Sequence, residues 1–308
     1  MPGNLLIEKL RPAKNVFDEN IPYHFLHEQE PGLDGELQTV NTLFLTGKEC
    51  AFKCLMCDLW KNTLDFPTPP GAIVKQIDYA LSQLPKADAI KLYNASNFFD
   101  PKAVPFSDHA AIAARLQGFS RVIVENHPKL CEQRVVDFAK RLSGRLEVAM
   151  GLETIYPESS QQLNKHMTPD DFKRAATFLR NHDMDIRTFV LLNPPYLTDQ
   201  RENIEWAVKS VQFAFECGAD RCTIIPTRSG NGVMELLQAQ GHYRPPTLSA
   251  LEEVFDRCLQ HNKGQVFVDT WDIGFLSDCP KCFEARTQRL DRMNLHQQIE
   301  LPVLCTCH

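Results

Sequence analysis

Apolar segments with two different spacings alternate along most of the chain. Short runs rich in Val, Ile, Leu and Phe predict strands, and longer segments with apolar residues three and four positions apart predict helices. Ile73, Ile77 and Ala80, for example, fall on one face of a helix. The predicted strands are 39–46, 89–93, 121–125, 146–152, 186–192, 222–226 and 266–270, and the predicted helices are 72–84, 110–116, 132–142, 170–181, 201–217 and 248–259.

Regular alternation of strands and helices is typical of parallel βαβ units. Six or seven units in succession predict an α/β fold, a partial (β/α)6 TIM-like barrel with a small C-terminal cysteine-containing extension, and a doubly wound sheet is the alternative. The alternation weakens after the turn SGNG at 229–232. We therefore divide the chain into an N-terminal extension (1–38), a core barrel (39–230) and a C-terminal extension (231–308).

The bulk composition is ordinary for a globular protein. Of 308 residues, 43% are hydrophobic and 23% are charged, and the net charge is −6. This acidic balance gives no chain-wide footprint for nucleic acid, but it leaves a local basic patch open. No apolar run approaches the roughly 20 residues of a membrane span, and no signal peptide is apparent. We expect a cytoplasmic protein without membrane contact, whose 11 cysteines are metal ligands or redox thiols rather than disulfides.

Three cysteines directly follow the first predicted strand with the spacing C-x3-C-x2-C. Cys50, Cys54 and Cys57 are near enough in sequence to bind three irons of one [4Fe–4S] cluster, which leaves the fourth iron open for a chelating ligand. Active sites of α/β barrels lie at the C-terminal ends of strands, and this loop has that position. A zinc site or unrelated thiols are the alternative, but a structural zinc site needs a fourth ligand.

Polar residues follow the other predicted strands and would share this edge of the sheet. The turn after the second strand carries small and amide side chains, which offer hydrogen bonds. Carboxylates at the next two strand ends suit an ammonium group or ribose hydroxyls, whereas a lone histidine is more often structural and a lysine often faces solvent. The candidates are Asn94, Ser96, Asn97, Glu125, His127, Glu153, Lys165, Asn193, Tyr196 and Pro226.

The cysteine loop, with the apolar Met56 before its last cysteine, resembles the hallmark loop of the radical SAM superfamily. The turn after the second strand departs from that superfamily, because it lacks the usual Gly-Gly pair. The order of the later segments is similar to the radical SAM subunit of archaeosine synthase and its relatives, over about residues 40–308. The segments that carry this similarity are 94–100, Glu125-Asn-His-Pro, Gly151-Leu-Glu-Thr, Leu163-Asn-Lys, Leu191-Leu-Asn-Pro-Pro-Tyr and Gly241-His-Tyr-Arg-Pro-Pro.

The resemblance implies a [4Fe–4S] cluster that binds S-adenosylmethionine (SAM) and cleaves it to a 5′-deoxyadenosyl radical. It implies an electron donor of the flavodoxin or ferredoxin type, tRNA or a partner subunit as further partners, and C–N cleavage in a lysine-bearing tRNA guanosine. Action on a small molecule or peptide, and a non-catalytic iron–sulfur or zinc protein, remain alternatives. The implied cofactor-binding residues are Met56, Asn94, Ser96, Asn97, Glu125, Glu153, Asn193 and Pro226, and the implied catalytic residues are His127, Lys165 and Tyr196.

A second group of cysteines lies near the C terminus. Two closely spaced pairs indicate a further metal site, either a structural zinc or an auxiliary iron–sulfur cluster, since thiolates bind both metals. The pairs are Cys279 with Cys282 and Cys305 with Cys307. The remaining four cysteines are expected to be small buried hydrophobes: Cys131, Cys217, Cys222 and Cys258.

Overall fold

One curled eight-stranded sheet forms the centre of the computed structural model, which describes residues 3–261 and 263–304. The strands are β1 (His24–Pro31), β2 (Leu37–Leu45), β3 (Ala89–Asn94), β4 (Arg121–Glu125), β5 (Arg145–Glu153), β6 (Asp185–Leu192), β7 (Arg221–Pro226) and β8 (Gln265–Val268). Their order in the sheet equals their order in the chain. β1 pairs antiparallel with β2, and β2 to β8 are all parallel, as βαβ connections require.

Helices follow most of the parallel strands, and most of the helices pack their apolar faces in the main hydrophobic core with the sheet. They are α1 (Asn4–Leu10), α2 (Ala72–Gln83), α3 (His109–Arg115), α4 (Gln133–Ala139), α5 (Pro157–Gln162), α6 (Pro169–Arg180), α7 (Gln200–Glu216), α8 (Val233–Ala239), α9 (Leu248–His261) and α10 (Pro280–His296). Local sequence fixes where helix α6 begins. Thr168 and Asp171 form a capping box there, and Pro169 occupies the first helical position. Across the described residues, none of the helices is long and apolar enough to cross a membrane.

The predicted architecture, a partial barrel of parallel strands, is confirmed. Every predicted strand and helix is present, with ends shifted by at most three residues. The sequence patterns did not indicate β1, α1, α5, α8 or α10. β1 and β8 come from the two segments that flank 39–230 in the chain, and both join the same sheet. The division at residues 38 and 230 stays a prediction.

A network of buried charges occupies the barrel interior near the N-terminal ends of the parallel strands. Glu147 on β5 accepts hydrogen bonds from Arg121 (3.0 Å), Arg187 (2.6 Å) and Arg221 (2.6 Å). Glu30 on β1 pairs with Arg187, and with Arg121 at 3.2 Å. Burial alone would raise the pKa of Glu147, but the guanidinium groups outweigh it and lower that pKa to about 2. Five strands are thus tied together at this end of the barrel.

Side chains bridge the two edges of the sheet, which belong to β1 and β8. At the N-terminal end of the parallel strands, Gln265 donates a hydrogen bond to the carbonyl oxygen of Gly32, and Arg221 reaches the carbonyl oxygen of Pro31 at 3.4 Å. At the other end, the rings of His24 and Trp271 lie 5.3 Å apart. These contacts narrow the open side of the partial barrel at both of its ends.

Candidate active site

The three cysteines of the predicted cluster loop face one large cavity. Cys50, Cys54 and Cys57 lie in the loop after β2 and are each half-buried. The cavity has a volume of about 1060 Å³ and reaches from this loop into the barrel interior. It opens at the C-terminal ends of the parallel strands, the edge at which barrel enzymes place their active sites.

Residues far away in the sequence hold the cysteine loop in place. The side-chain amide of Asn231 donates to the carbonyl oxygens of Leu55 (2.7 Å) and Cys57 (3.1 Å). Asn164 donates to the carbonyl oxygen of Lys53 at 2.7 Å. Leu55 is fully buried in a small apolar cluster with Ile7 of α1 and residues of α8. The loop therefore has a fixed backbone although it lacks regular secondary structure.

The cysteines fit an iron–sulfur cluster better than a single metal ion. In the part of the chain that the structure describes, no three His, Cys, Asp or Glu side chains are placed to hold one ion. Cluster cysteines each bind a different iron, so their sulfurs need not converge on one point. Burial raises the pKa of all three thiols, that of Cys57 to about 12. Without a bound metal these buried thiols are protonated, and cationic iron would stabilise the thiolates.

The turn after β3 presents unpartnered polar groups to the same cavity. Asn94 is only 2% exposed, and among the described residues neither atom of its side-chain amide has a hydrogen-bond partner. The same is true of the Ser96 hydroxyl. Buried polar atoms without partners are costly and rare in folded proteins. Their position beside the cysteines therefore fits a polar ligand held against the cluster loop.

Glu125 and His127 line the cavity at the end of β4. The Glu125 carboxyl accepts from the backbone N–H of Asn94 at 2.9 Å, and burial raises its pKa to about 8. His127 accepts from the N–H of Lys129 through Nδ1, and its Nε2 lies 3.1 Å from the carbonyl oxygen of Lys165. Burial lowers the pKa of His127 to about 3. A neutral ring with both nitrogens engaged is a rigid wall, and the proton-donor role of His127 stays a prediction.

Glu153 and Lys165 form a buried ion pair beside the cysteines. Burial opposes the charge of Lys165, but the carboxylate of Glu153 and the neighbouring Cys54 raise its pKa above the ordinary value. Both side chains line the cavity, as do Met56 and Pro226. Lys165 is therefore a cavity residue and does not face solvent.

Two predicted residues after β6 lie elsewhere. Asn193 is buried, and its side chain donates to the carbonyl oxygen of Arg244 at 3.1 Å. The backbone N–H of Tyr196 donates to the carbonyl oxygen of His242 at 2.7 Å, and the side chain packs beside the apolar cluster around Leu55. Neither residue is part of the cavity lining. Their predicted roles in binding and catalysis stay predictions that the described contacts do not favour.

The C-terminal cysteines are described only in part. Cys279 directly precedes α10 and Cys282 lies in its first turn, and both side chains are buried. Cys305 and Cys307 lie outside the described residues, so the second metal site stays a prediction. Of the other cysteines, Cys222 and Cys258 are buried as expected. Cys131 and Cys217 are half-buried.

Several cavity residues escaped the sequence analysis. Tyr93 and Arg187 occupy inward positions of predicted strands, two residues from other lining positions, so strand periodicity would have found them. Phe52, whose ring stacks on His127 with centroids 3.8 Å apart, lies inside the cysteine loop itself. His24 and Trp271 lie on β1 and on the irregular segment after β8, where no sequence pattern marked an inward face.

Known proteins of similar sequence come from archaea. No protein-family model matches the chain. An uncharacterized protein of Methanocaldococcus jannaschii is 26% identical over 98% of this chain and 89% of its own length. Archaeosine synthase subunit beta of Methanosarcina acetivorans is 26% identical over 65% of this chain and 60% of the relative. The same subunit of Thermococcus kodakarensis is 26% identical over 65% of this chain and 64% of its own length. The chain thus spans less than two thirds of both archaeosine synthase subunits.

Solved structures share the fold at low sequence identity. Elp3 of Methanocaldococcus infernus has a TM-score of 0.52 and 15% identity, over 71% of this chain and 59% of that one. A spore photoproduct lyase mutant with bound AdoMet has a TM-score of 0.50 and 12% identity, over 73% of this chain and 75% of that one. The predicted similarity to archaeosine synthase subunit beta is confirmed in sequence. The partial barrel is a fold shared with these solved structures.

Proposed function

We propose that the chain is a radical SAM enzyme in which Cys50, Cys54 and Cys57 hold a [4Fe–4S] cluster beside a SAM site. One observation carries this proposal. The three half-buried cysteines share a single cavity with the unpartnered polar atoms of Asn94 and Ser96, at the C-terminal edge of the parallel strands. A cluster with an open iron and a chelating polar ligand would satisfy both groups together.

The side chains of the cavity have distinct roles in this proposal. A cluster held by Cys50, Cys54 and Cys57 would supply the electron for the reductive cleavage of SAM. Asn94 and Ser96 offer hydrogen bonds to the methionine part, and Glu153 accepts from ribose hydroxyls. Lys165 forms an ion pair with Glu153 and so orients its carboxylate. The cavity volume of about 1060 Å³ is at the upper end of the roughly 300–1,000 Å³ of small-molecule sites, which leaves room for a substrate group beside SAM.

The substrate in this proposal is a nucleoside in tRNA. The sequence relatives named archaeosine synthase subunit beta support it, and so does the fold shared with Elp3. Because those relatives are subunits, the proposal includes a partner subunit, together with tRNA and a flavodoxin or ferredoxin as electron donor. The net charge of −6 suits a complex in which the partner subunit supplies most contacts to the phosphates of tRNA and this chain supplies the cavity.

Anaerobic cluster reconstitution tests the chemistry directly. The wild-type protein is expected to bind about four irons per chain and, once reduced, to convert SAM into 5′-deoxyadenosine. Cys54→Ala is expected to lose both properties. Cys217→Ala is the matched control, because this half-buried cysteine ends α7 away from the cavity and should leave both unchanged. Wild-type 5′-deoxyadenosine formation in Cys54→Ala, or none in the wild type, would refute the proposal.

A nucleoside profile tests the substrate. Digested tRNA from a strain that lacks the gene is expected to lose one modified nucleoside and to accumulate its precursor. Complementation with the wild-type gene should restore the product, and complementation with the Cys54→Ala gene should not. An unchanged profile, with SAM cleavage intact in vitro, would favour a small-molecule or peptide substrate instead.

A further inference from the structure

The mouth of the cavity carries a large aromatic side chain that is mostly exposed. Trp271, three residues after β8, lines the cavity, yet 58% of its surface is accessible. The ring of His24, at the start of β1, lies 5.3 Å away at an interplanar angle of 60°. An exposed tryptophan beside a functional cavity is costly to leave in water, and such side chains typically mark binding surfaces.

The backbone that carries Trp271 is firmly anchored. The Asp269 carboxylate accepts from the backbone N–H of Trp271 at 3.0 Å, and Arg228 donates both to that carboxylate and to the carbonyl oxygen of Trp271. Asp269 itself continues the ladder to β7 through the carbonyl oxygen of Ile224. The ring is therefore exposed on a fixed frame, which lowers the entropy lost when a ligand binds.

The chemistry around Trp271 is aromatic and cationic. Phe275 is 45% exposed, and the Arg228 guanidinium lies 5.7 Å from the centre of its ring. Two further rings lead from His24 into the cavity. The ring centres of His24 and Phe44 lie 5.7 Å apart, and those of Phe44 and Tyr93 lie 6.2 Å apart. A wall of rings thus runs from the mouth into the cavity. Such a wall suits planar groups, and the guanidinium at its outer end suits a phosphate.

We propose that His24 and Trp271 form a stacking site for a base of single-stranded RNA at the cavity mouth. Unstacked bases in RNA loops are recognised by aromatic rings and arginine side chains, whereas paired bases are not accessible to them. Arg228 contacts the phosphate next to the stacked base. The inference rests on the proposed RNA substrate and adds the residues that receive it.

Tryptophan fluorescence tests this site in the protein of 308 residues. The chain has three tryptophans: Trp60, which is buried, Trp206, which does not line the cavity, and Trp271. The probes are an RNA stem-loop, a blunt duplex with the same stem, and a free nucleoside monophosphate. Titration with the stem-loop is expected to quench the fluorescence strongly, and the duplex should not. The free nucleotide should quench only at far higher concentration, because it lacks the other loop contacts.

Matched variants assign the signal to one ring. Trp206→Phe should keep the quenching, and Trp271→Leu should abolish it and weaken stem-loop binding by about tenfold, the scale of one stacked base. Trp271→Phe keeps a ring and should restore most of the affinity. Because Trp271 is exposed, Trp271→Leu and Trp271→Phe should both have the melting temperature of the wild type.

Three outcomes would overturn the stacking site, and SAM cleavage assayed in parallel separates them from a failure of the proposed enzyme. The first is wild-type stem-loop affinity in Trp271→Leu. The second is equal binding of duplex and stem-loop, and the third is no RNA binding by the wild-type protein. If 5′-deoxyadenosine still forms in any of these cases, the radical SAM proposal stands and only the base site is wrong.

Discussion

The side-chain amide of Asn97 donates a hydrogen bond to the sulfur of Cys50, with 3.2 Å between Nδ2 and Sγ. Asn97 is buried in the turn after β3, at the place where the superfamily usually has its glycine pair. Cys50 also receives the backbone N–H of Phe52 at 3.4 Å. Hydrogen bonds to cluster sulfurs withdraw negative charge and favour the reduced state. In the proposed site, Asn97 would therefore act on a bound cluster, and Asn94, the last residue of β3, on a bound ligand.

Replacing Asn97 with the similarly sized Leu should lower the reduction potential of the cluster by roughly tens of millivolts, because the reduced cluster loses a donor. Redox titration followed by electron paramagnetic resonance measures that potential. Ser96→Ala is the control from the same turn, since among the described residues the Ser96 hydroxyl has no hydrogen-bond partner, and its loss should leave the potential unchanged. An unchanged potential in Asn97→Leu would show that this hydrogen bond does not tune the cluster.

The parallel strands could be predicted because both of their faces are buried. The strand RVIVE of β4, for example, is an almost continuous apolar run. β1 escaped prediction for a physical reason: its inward residues include Glu28 and Glu30, which enter the barrel to meet Lys91 and Arg187. The partners that make those charges tolerable lie on strands far along the chain, and no local pattern contains them.

The site was predictable where topology alone decides position. Parallel strands end at one edge, so Cys50, Glu125 and Glu153 converge there. Asn193 also follows a strand, but its side chain donates to the carbonyl oxygen of Arg244, and the backbone N–H of Tyr196 donates to that of His242. These contacts direct the turn toward residues 242–244. The direction depends on the later chain segment that receives these residues, which sequence spacing does not reveal.

Asn231 should control how tightly the cysteine loop retains iron. Its amide bonds two carbonyl groups of the loop, at Leu55 and Cys57, so Asn231→Ala frees the backbone of one ligand. We expect iron to be lost to a chelator several-fold faster than from the wild type. Asn203→Ala is the matched control, because Asn203 is equally buried and caps the carbonyl oxygens of Leu197 and Asp199. Equal loss rates in both variants would mean that general destabilisation is the cause.

Glu147 should be among the most stabilising side chains of the barrel. Glu147→Gln leaves three buried guanidinium groups with one fewer charge partner, and we expect the free energy of unfolding to fall by about 3–5 kcal/mol. Denaturant titration of the cluster-free protein measures it. Glu205→Gln removes an exposed carboxylate that pairs with Arg257, and its cost should stay below about 1 kcal/mol. Similar losses in the two variants would contradict a special role for the network.

Glu125 should make the protein less stable as the pH rises. Its pKa is about 8 in the folded protein because of burial, above the ordinary value of 4.5, so the folded state holds its proton more tightly than the unfolded state. The stabilising proton is fully present in both states below pH 4.5. Its contribution is lost progressively as the pH rises from there through about 8, where the folded carboxyl finally ionises.

Denaturant titrations of the cluster-free protein between pH 5 and pH 8.5 should therefore show that the wild type loses a few kcal/mol of stability relative to Glu125→Gln. The amide stays neutral and keeps an oxygen for the backbone N–H of Asn94. Glu216→Gln, at an exposed position, should reproduce the wild-type decline. If Glu125→Gln and wild type lose stability in parallel, the carboxyl is ionised throughout this range. A cation held beside Glu125 would then be required to explain its burial, and Lys165 is the nearest candidate by charge.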